Sequence, residues 1–336
     1  MNATNLMRNA GVDLSKNSFD VYDMDIMCRG QSIVPIIGRG RRFYVDPANG
    51  SDSNDGKTPT RAFAGLAAAY AACTANRNDT VVYLAGSSGL DLSAALTWAK
   101  SYTHLVGVCA PTMVGQRARI FQLSTLTGAS PLIDVTASGC SFSNFYAFQG
   151  VDDATSLLNV RVTGHRNHFY NVHFAGGGHA TQAINGGASL YISGGRENTF
   201  QHCTIGVDTV AAGTGMAGLV FAATGGAARN VFEDCHFTMY AGHAGAIFVE
   251  VLGNSGIDRY QIFKRCMFIN LSATAMTEAI CVAAGFDANN KRLLLEDCSL
   301  IGAGEWESNN RGAVYMNRGT ITAGGNSGIL QATNTT

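Results

Sequence analysis

The sequence is poor in charged residues. Asp, Glu, Lys and Arg make up only 14% of its 336 residues, against about 25% in an average soluble domain. The formal net charge of −1 gives no field that would attract a nucleic acid or an anionic membrane surface. We therefore expect neither a nucleic-acid partner nor a membrane partner.

Long apolar runs are also missing. No run approaches the roughly 20 apolar residues that span a bilayer, and the opening "MNATNLMRNAGVDLSKNSFD" lacks the apolar core of a signal peptide. We expect a protein that is made in the cytoplasm and is not secreted through a signal peptide.

Several motifs of known chemistry are absent as well. None of the nine cysteines forms a CxxC pair, and the chain has no GxSxG, GxxxxGK[ST] or HExxH sequence. Without a secretory signal, the cysteines are expected to be reduced and buried, behaving as small apolar residues. We predict no disulfide framework, zinc site or other cofactor site.

The chain does contain a repeat, together with 40 glycines and only 5 prolines. An apolar residue, two polar ones, Cys or Val, a spacer and another apolar residue recur at a nearly constant interval, with the Cys or Val at positions 172, 203, 235, 266 and 298. A looser copy lies near Phe142 and Phe145. The copies are Phe169/Val172/Phe174, Phe200/Cys203/Ile205, Phe232/Cys235/Phe237, Phe263/Cys266/Phe268 and Leu295/Cys298/Leu300.

A second series of short strand-like runs interleaves with the first. Most runs are flanked by Gly, Asn or Ser, and no amphipathic stretch of helical length separates them. Each period therefore holds at least two β segments joined by turns. The runs are "PLIDV" at 131–135, "SLLNV" at 156–160, "SLYIS" at 189–193, "GLVFA" at 218–222, "AIFVE" at 246–250, "AICVA" at 279–283 and "AVYMN" at 313–317.

A unit of this size can bury its apolar face only by stacking on its neighbours. In-register copies give parallel strands about 4.8 Å apart. The fold class predicted is therefore all-β, a right-handed parallel β-helix in which the cysteines form one internal column and the Phe and Leu residues form others. The pairs Glu233-Asp234, Lys264-Arg265 and Glu296-Asp297 would then alternate in sign from rung to rung.

A cap precedes the repeat. Residues Arg42–Val45 and Thr80–Leu84 are predicted as strands, and the spacing of Phe63, Leu66, Tyr70 and Cys73 predicts a helix over about 60–75. A helix at this position would close the open end of a solenoid.

The stretch "YVDPANGSDSNDGKTPTRAFAGLAAAYAA", residues 44–72, resembles the cap segment of the pectate-lyase-like parallel β-helix superfamily. That superfamily includes phage tailspikes, other phage appendage and head proteins, and secreted polysaccharide enzymes. The resemblance covers about residues 42–318. It implies a bacteriophage virion structural protein, made in the host bacterial cytoplasm and assembled as a homotrimer.

Four regions follow. Residues 1–41 form an N-terminal attachment segment for phage capsid or tail proteins, residues 42–86 the cap, 87–318 the parallel β-helix and 319–336 a C-terminal tail. We expect a non-enzymatic protein that decorates or cements the capsid. The alternative is a tailspike or tail fibre protein that binds, or also depolymerises, a host surface glycan.

Glycoside hydrolysis needs two carboxyl groups about 5–9.5 Å apart. Glu233 and Glu296, two rungs apart, would lie about 9.6 Å apart, but Lys264 would stand between them, so a salt-bridge column is favoured and no catalytic residue is predicted. The candidate acids are Asp152, Asp153, Asp208, Glu233, Asp234, Glu296, Asp297, Glu305 and Glu307.

Other polar groups are interpreted structurally. The acids Asp46, Asp52 and Asp55 with Asn54 depart from the EF-hand order and are assigned to Asx-turns. The histidines at 165, 168, 173 and 179 need not share a face, so no metal site is predicted. Trp98 and Trp306 could stack on sugars, but they form no periodic aromatic ladder.

Overall fold

The computed structural model describes residues 27–28, 31–32, 40–286, 291–308, 311–317 and 330–331. The chain divides into two units, Met1–Ile37 and Gly38–Thr336. In the first, the described residues form an antiparallel pair of short strands, β1 (Met27–Cys28) and β2 (Gln31–Ser32). Most of the attachment segment predicted at 1–41 and of the tail predicted at 319–336 lies outside the described residues.

The second unit, where it is described, consists almost entirely of short strands. The α-helix α1 (Leu66–Ala72) and the 3-10 turns Pro59–Arg61 and Arg311–Ala313 accompany them. The strands are β3 (Arg42–Val45), β4 (Asp79–Leu84), β5 (Leu90–Leu92), β6 (Leu96–Trp98), β7 (Thr103–Val108), β8 (Arg119–Gln122), β9 (Ile133–Val135), β10 (Ser141–Phe148), β11 (Leu158–Val162), β12 (His168–Ala175), β13 (Ala188–Ile192), β14 (Thr199–Gln201), β15 (Thr204–Ile205), β16 (Ala211–Ala212), β17 (Ala217–Phe221), β18 (Val231–Glu233), β19 (His236–Ala241), β20 (Ile247–Val251), β21 (Tyr260–Lys264), β22 (Met267–Asn270), β23 (Met276–Glu278), β24 (Ile280–Val282), β25 (Arg292–Glu296), β26 (Ser299–Ile301), β27 (Ala303–Glu305), β28 (Val314–Met316) and β29 (Leu330–Gln331).

These strands stack as a right-handed parallel β-helix, as the repeat predicts. Six of the seven runs of the second series, together with β6, form a seven-stranded parallel sheet in the order β24-β20-β17-β13-β11-β9-β6. The first series forms the adjoining faces, on which each strand pairs in parallel with its counterpart on the next coil. One inward column is continuous through the unit: Phe43, Val81, Leu105, Phe142, Phe169, Phe200, Phe232, Phe263, Leu295 and Met316.

The middle of this column is a stack of phenylalanine rings. Phe169 and Phe200 have ring centroids 4.7 Å apart and planes inclined by 4°, and Phe200 and Phe232 are 4.6 Å apart at 5°. All three side chains are fully buried. The rung spacing sets the ring spacing, so identical residues stack best when the sequence period matches the coil.

The cysteines form the predicted internal column. Cys203, Cys235 and Cys266 are buried, and each S–H donates to a carbonyl oxygen one rung earlier, at Phe169, Phe200 and Phe232 respectively. The eight cysteines from Cys73 to Cys298 are free thiols. Burial raises the pKa of Cys235 and Cys266 well above the ordinary value of 9.0.

A ladder of amides runs beside the core and is not among the predicted features. The backbone N–H of Asn167 donates to Asn198 Oδ1, and that of Asn198 donates to Asn230 Oδ1, both at 2.9 Å. Gln261 continues the ladder on the next rung. The regular spacing of these amides, which matches the period of the repeat, was a usable signal, since buried amides need partners that only the next rung supplies.

The bend before each cysteine uses a left-handed backbone. His202, Asp234, Arg265 and Asp297 all have φ between 50° and 54°. The polar residue before the cysteine therefore lies at a sharp turn between two strand segments and points its side chain outward.

Two predictions about elements are corrected. The cap helix spans only Leu66–Ala72, because Pro59 opens a 3-10 turn and Phe63 pairs with Val45 in an isolated bridge. The run at 313–317 does not extend the seven-stranded sheet, since β28 pairs with β25 on an adjoining face.

Helix α1 closes the first end of the core. Leu66, Ala69 and Tyr70 are buried in the main core cluster, and the Tyr70 ring lies 4.3 Å from that of Trp98. The Lys100 ammonium donates to the last helical carbonyls at Tyr70 and Ala71. The cation thus satisfies acceptors that a helix C-terminus leaves open.

Candidate functional site

The acidic positions predicted on the outer face do form a column. Glu233, Lys264 and Glu296 pair directly across β18, β21 and β25. The Lys264 ammonium lies 3.9 Å from a carboxylate oxygen of each glutamate. The predicted alternation of charge is confirmed, with the lysine between the two acids.

Arginine neutralises the acids at the neighbouring bend. Arg265 donates to both carboxylate oxygens of Asp234, at 2.7 and 2.8 Å, and to Glu233 at 2.8 Å. Glu233 also accepts from the Gln201 amide at 2.7 Å. Hydrogen bonds from Gln201 and Arg265 hold the pKa of Glu233 below its ordinary value, and those from Arg265 do the same for the pKa of Asp234.

These contacts decide what the column can do. A glycosidase needs one carboxylic acid with a raised pKa to protonate the leaving group. The pKa values of Glu233 and Asp234 are shifted in the opposite direction, and Lys264 fills the gap between Glu233 and Glu296. The column is therefore built as an ion-pair ladder.

The acids further upstream are tied to turns. Asp153 accepts hydrogen bonds from Gly128 N, Thr155 and Ser156, and the Ser156 hydroxyl is the largest cause of its lowered pKa. Asp152 lies 3.7 Å from His179, and Asp208 is exposed in a loop.

One group of glutamates gathers near the C-terminal end of the seven-stranded sheet. Glu278 on β23 pairs in parallel register with Glu305 on β27. Burial raises the pKa of the Cys281 thiol, and the nearby charges of Glu278 and Glu307 raise it further, to about 12. Glu278 accepts from Ser308 N at 2.8 Å and from its hydroxyl at 2.7 Å. Glu278 is 8% exposed and Glu307 is 1% exposed.

Glu250 lies close to this group. Burial raises its pKa, and in its own outward row the adjacent rungs carry Val220 and Cys281. Glu250 and Glu278 are not among the candidate acids that the sequence indicates. Tracking the outward position of each run in the second series would have found Glu250.

The rest of that outward row holds one ion pair and one aromatic. Arg161 donates to both carboxylate oxygens of Asp134, at 2.9 and 2.6 Å, from adjacent strands. Tyr191 follows on β13, and burial raises its pKa. Asp134 and Glu250 are four strands apart, or about 19 Å at the usual strand spacing, too far to act as one acid pair.

The four histidines are held in separate places. His173 is 5% exposed; its Nδ1 accepts from Gly115 N and its Nε2 donates to Gly206 O. His168 donates to Gln201, and His165 accepts from Arg196 N. No group of three or more His, Cys, Asp or Glu side chains in the described part of the chain could hold a metal ion.

The acids of the cap are turn and helix partners. Asp46 accepts from the backbone N–H groups of Ala48 and Asn49, and Asp52 accepts from those of Ala64 and Gly65, just before α1. The Asx-turn interpretation is confirmed for Asp46, and Asp52 holds the two residues that precede α1.

The aromatic candidates separate into buried and exposed residues. Trp98 is 1% exposed in the core, and Trp306 is half-buried against Phe268. Tyr170 is instead 38% exposed on the same face as the ion-pair ladder, with the His202 ring 5.4 Å away. This tyrosine is better placed than either tryptophan to meet a ligand from solvent.

Comparisons with known proteins concern the fold. No protein-family model and no curated protein sequence matches the chain. A pectin methylesterase solved with a hexasaccharide aligns over 85% of this chain and 92% of its own, with 17% identity and a TM-score of 0.55. Pectin methylesterase of Erwinia chrysanthemi aligns over 80% and 82%, with 18% identity and a TM-score of 0.52.

A rhamnogalacturonan lyase is similar to the same degree, covering 78% of this chain and 68% of its own, with 16% identity and a TM-score of 0.54. At these identities the likeness concerns the fold alone. The shared fold is the right-handed parallel β-helix. In the described residues no helix is long and apolar enough to cross a membrane.

Proposed function

Starting from a right-handed parallel β-helix, we propose that this chain is a non-enzymatic structural protein of a bacteriophage particle that decorates or cements the capsid. The observation that carries the non-enzymatic part is the ion-pair ladder. Lys264 separates Glu233 from Glu296, and Arg265 holds Asp234 through two hydrogen bonds.

The other acidic group supports the same conclusion. Glu278 and Glu307 are buried, and Glu278 already accepts two hydrogen bonds from Ser308. A sugar ring in solvent would have to displace the residues that bury Glu278 and Glu307 before it reached either carboxyl group. A general acid must lie within hydrogen-bond distance of the leaving oxygen, and burial keeps these two carboxyl groups from that position.

A structural role suits the rest of the molecule. Stacked phenylalanines, an amide ladder and a cysteine column repeat through the solenoid and use side chains for cohesion. Phage placement is supported by the resemblance of residues 44–72 to the cap segment of a superfamily that includes phage appendage and head proteins. The same resemblance supports a homotrimer, with residues 1–41 as the contact to capsid or tail proteins.

Incubation with host surface polysaccharide tests the absence of catalysis. The full chain should leave the polysaccharide chain length unchanged at every pH between 4 and 9. Shortening that is lost in Glu250→Gln or Glu278→Gln, with circular dichroism unaltered, would make the protein a depolymerase. Glu233→Gln serves as the matched control outside the buried glutamates.

A tail appendage that binds a host glycan is the second candidate. Exposed Tyr170 lies beside a hydrogen-bonded chain that runs from His168 through Gln201 to Glu233. An aromatic face beside fixed donors and acceptors suits a sugar ring. Binding of host polysaccharide that is lost in Tyr170→Ala and kept in Tyr102→Ala, another exposed tyrosine, would favour this candidate.

A further inference from the structure

A strip of positive charge follows one corner of the solenoid. The corner is built from the turns that lead out of the seven-stranded sheet on five successive coils, from the turn after β11 to the turn after β24. The described residues of these turns, taken with the first residue of each following strand, include two acids, Glu197 and Asp258. The six cations at the same positions are called the basic strip: Arg166, Arg196, Arg229, Arg259, Lys291 and Arg292.

The basic strip departs from the charge balance of the whole chain. Lys and Arg together number 23 in the sequence, against 24 Asp and Glu. In the described part of this corner, cations outnumber acids three to one. A local excess of one sign produces a positive potential that attracts an anionic partner.

The two acids leave most of this charge uncompensated. Glu197 is shared between two cations, since its carboxylate lies 2.7 Å from Arg166 and also accepts from Arg229. Asp258 lies 3.8 Å from Arg259, its neighbour in sequence, and both side chains are exposed. Each acid is therefore set against at least one cation that keeps donors free for a further carboxylate.

Two cations of the strip are bonded to neutral groups. The Nε–H of Arg196 donates to the Gly226 carbonyl at 3.2 Å, and the Lys291 ammonium donates to Asn254 Oδ1 at 3.0 Å. Across the described ranges of the chain, neither cation forms an ion pair. A carboxylate can approach either cation without displacing another acid.

Left-handed turns present the cations to solvent. Arg166, Arg229 and Arg259 have φ of 54°, 54° and 67°. Their side chains are 74%, 43% and 63% exposed. Parallel stacking places successive turns about 4.8 Å apart, so the strip is a ridge of exposed guanidinium groups along the corner.

An exposed aromatic ring belongs to the same ridge. Tyr260 is 38% exposed and pairs with Arg292 on the next rung, and the backbone N–H of Arg229 on the previous rung donates to its carbonyl at 2.7 Å. Arg and Tyr are enriched in protein interfaces, whereas Lys is depleted. A guanidinium also binds a carboxylate through two parallel hydrogen bonds.

We propose that the basic strip binds an acidic surface of another protein. The inference goes beyond the proposed function, because the strip lies in the solenoid, outside the attachment segment at residues 1–41. Sugars are bound in concave sites that enclose the ring, whereas this strip is a ridge. Carboxylates on the projecting side chains of Asp and Glu reach a ridge more readily than those close to the axis of a sugar chain.

Binding of the full chain to poly-L-glutamate tests the proposal. Wild type should bind this acidic polypeptide at low salt and release it at high salt, because the charges are exposed. Arg196→Glu combined with Arg259→Glu should weaken binding by about tenfold or more at low salt, with circular dichroism unchanged. Lys57→Glu combined with Arg117→Glu reverses two exposed cations outside the strip and should bind like wild type.

Three results would overturn the inference. Wild type that does not bind poly-L-glutamate at low salt would show that the strip does not recognise acidic polypeptides. Equal binding by wild type and the strip variant would place the contact elsewhere. Alginate or duplex DNA that binds more tightly than poly-L-glutamate, and is lost in the strip variant, would assign the strip to a different polyanion. None of these results bears on capsid decoration, which is tested by location on particles.

Discussion

At the scale of single residues, the fold depends on side chains that repeat in register. The sequence predicted the cysteine column correctly because Cys203, Cys235, Cys266 and Cys298 fall on one period. It did not predict which group each S–H donates to, because the acceptors are backbone carbonyls of the previous rung, far away along the chain. Contacts between residues so far apart in sequence depend on the geometry of the coil, and local sequence patterns do not predict them.

Buried thiols should be unreactive in the folded protein. Because burial raises the pKa of Cys235 and Cys266, the thiolate that attacks an alkylating agent is scarce. Brief treatment with iodoacetamide, followed by peptide mass spectrometry, should leave both residues unmodified until urea unfolds the chain. Half-exposed Cys109 is the internal control and should be labelled first; equal labelling of Cys235 in the native protein would contradict its burial.

The buried histidines should make the protein sensitive to mild acid. Burial lowers the pKa of His104 and of His173 from 6.5 to about 4, and in both rings Nδ1 accepts a backbone N–H and so opposes protonation. As the pH falls from 6.5 to 4, these histidines become protonated in the unfolded chain but stay neutral in the folded chain. The free energy of unfolding therefore decreases. The full loss corresponds to roughly 3 kcal/mol for His173.

Urea unfolding at several pH values measures this effect. His173→Gln should be less stable than wild type near pH 7, and the gap should narrow as the pH falls towards 4.5. A gap that stays constant would show that His173 does not contribute to the acid sensitivity.

At the scale of strands and turns, the alternation of charge along the outer face indicates which residues lie opposite one another on successive rungs. The pairs at 233–234, 264–265 and 296–297 were correctly placed on successive rungs, because parallel stacking fixes the spacing of equivalent positions. The cap helix and the run at 313–317 were less well predicted. Their limits are set by tertiary pairing, Phe63 with Val45 and β28 with β25, which no local propensity encodes.

Reversing one charge should disturb the ladder. Lys264→Glu places three acids on successive rungs and should lower the free energy of unfolding by about 1 kcal/mol at low salt. High salt should recover much of this loss, because the groups are partly exposed. Lys264→Gln, which removes the cation without adding an acid, should cost less; equal costs that do not change with salt would contradict the ladder.

At the scale of the whole molecule, the predicted β-helix is confirmed. The fold could be predicted because so regular a repeat of short strands admits few architectures. The group of glutamates was not predicted as a group, since Glu250, Glu278 and Glu307 approach Cys281 only through the coiling of the chain. The loop of residues 109–118, which contacts His173 and Thr204, carries no repeat signal and was not predicted.

Removing the N-terminal segment should separate folding from assembly. A chain lacking residues 1–41 should keep its β-sheet circular dichroism and fail to enter particles. Arg41 N donates to buried Asp79 at 2.7 Å, so a chain lacking only residues 1–37 is the milder control and should melt like wild type. Loss of the β-sheet signal in the 1–37 deletion would show that this segment is needed for folding.

Location on the particle tests the central claim most directly. Gold-labelled antibody against this protein, imaged on phage particles from its source, should mark the head. Label confined to the tail would contradict capsid decoration and support the glycan-binding appendage. Purified particles without label would contradict a virion protein altogether.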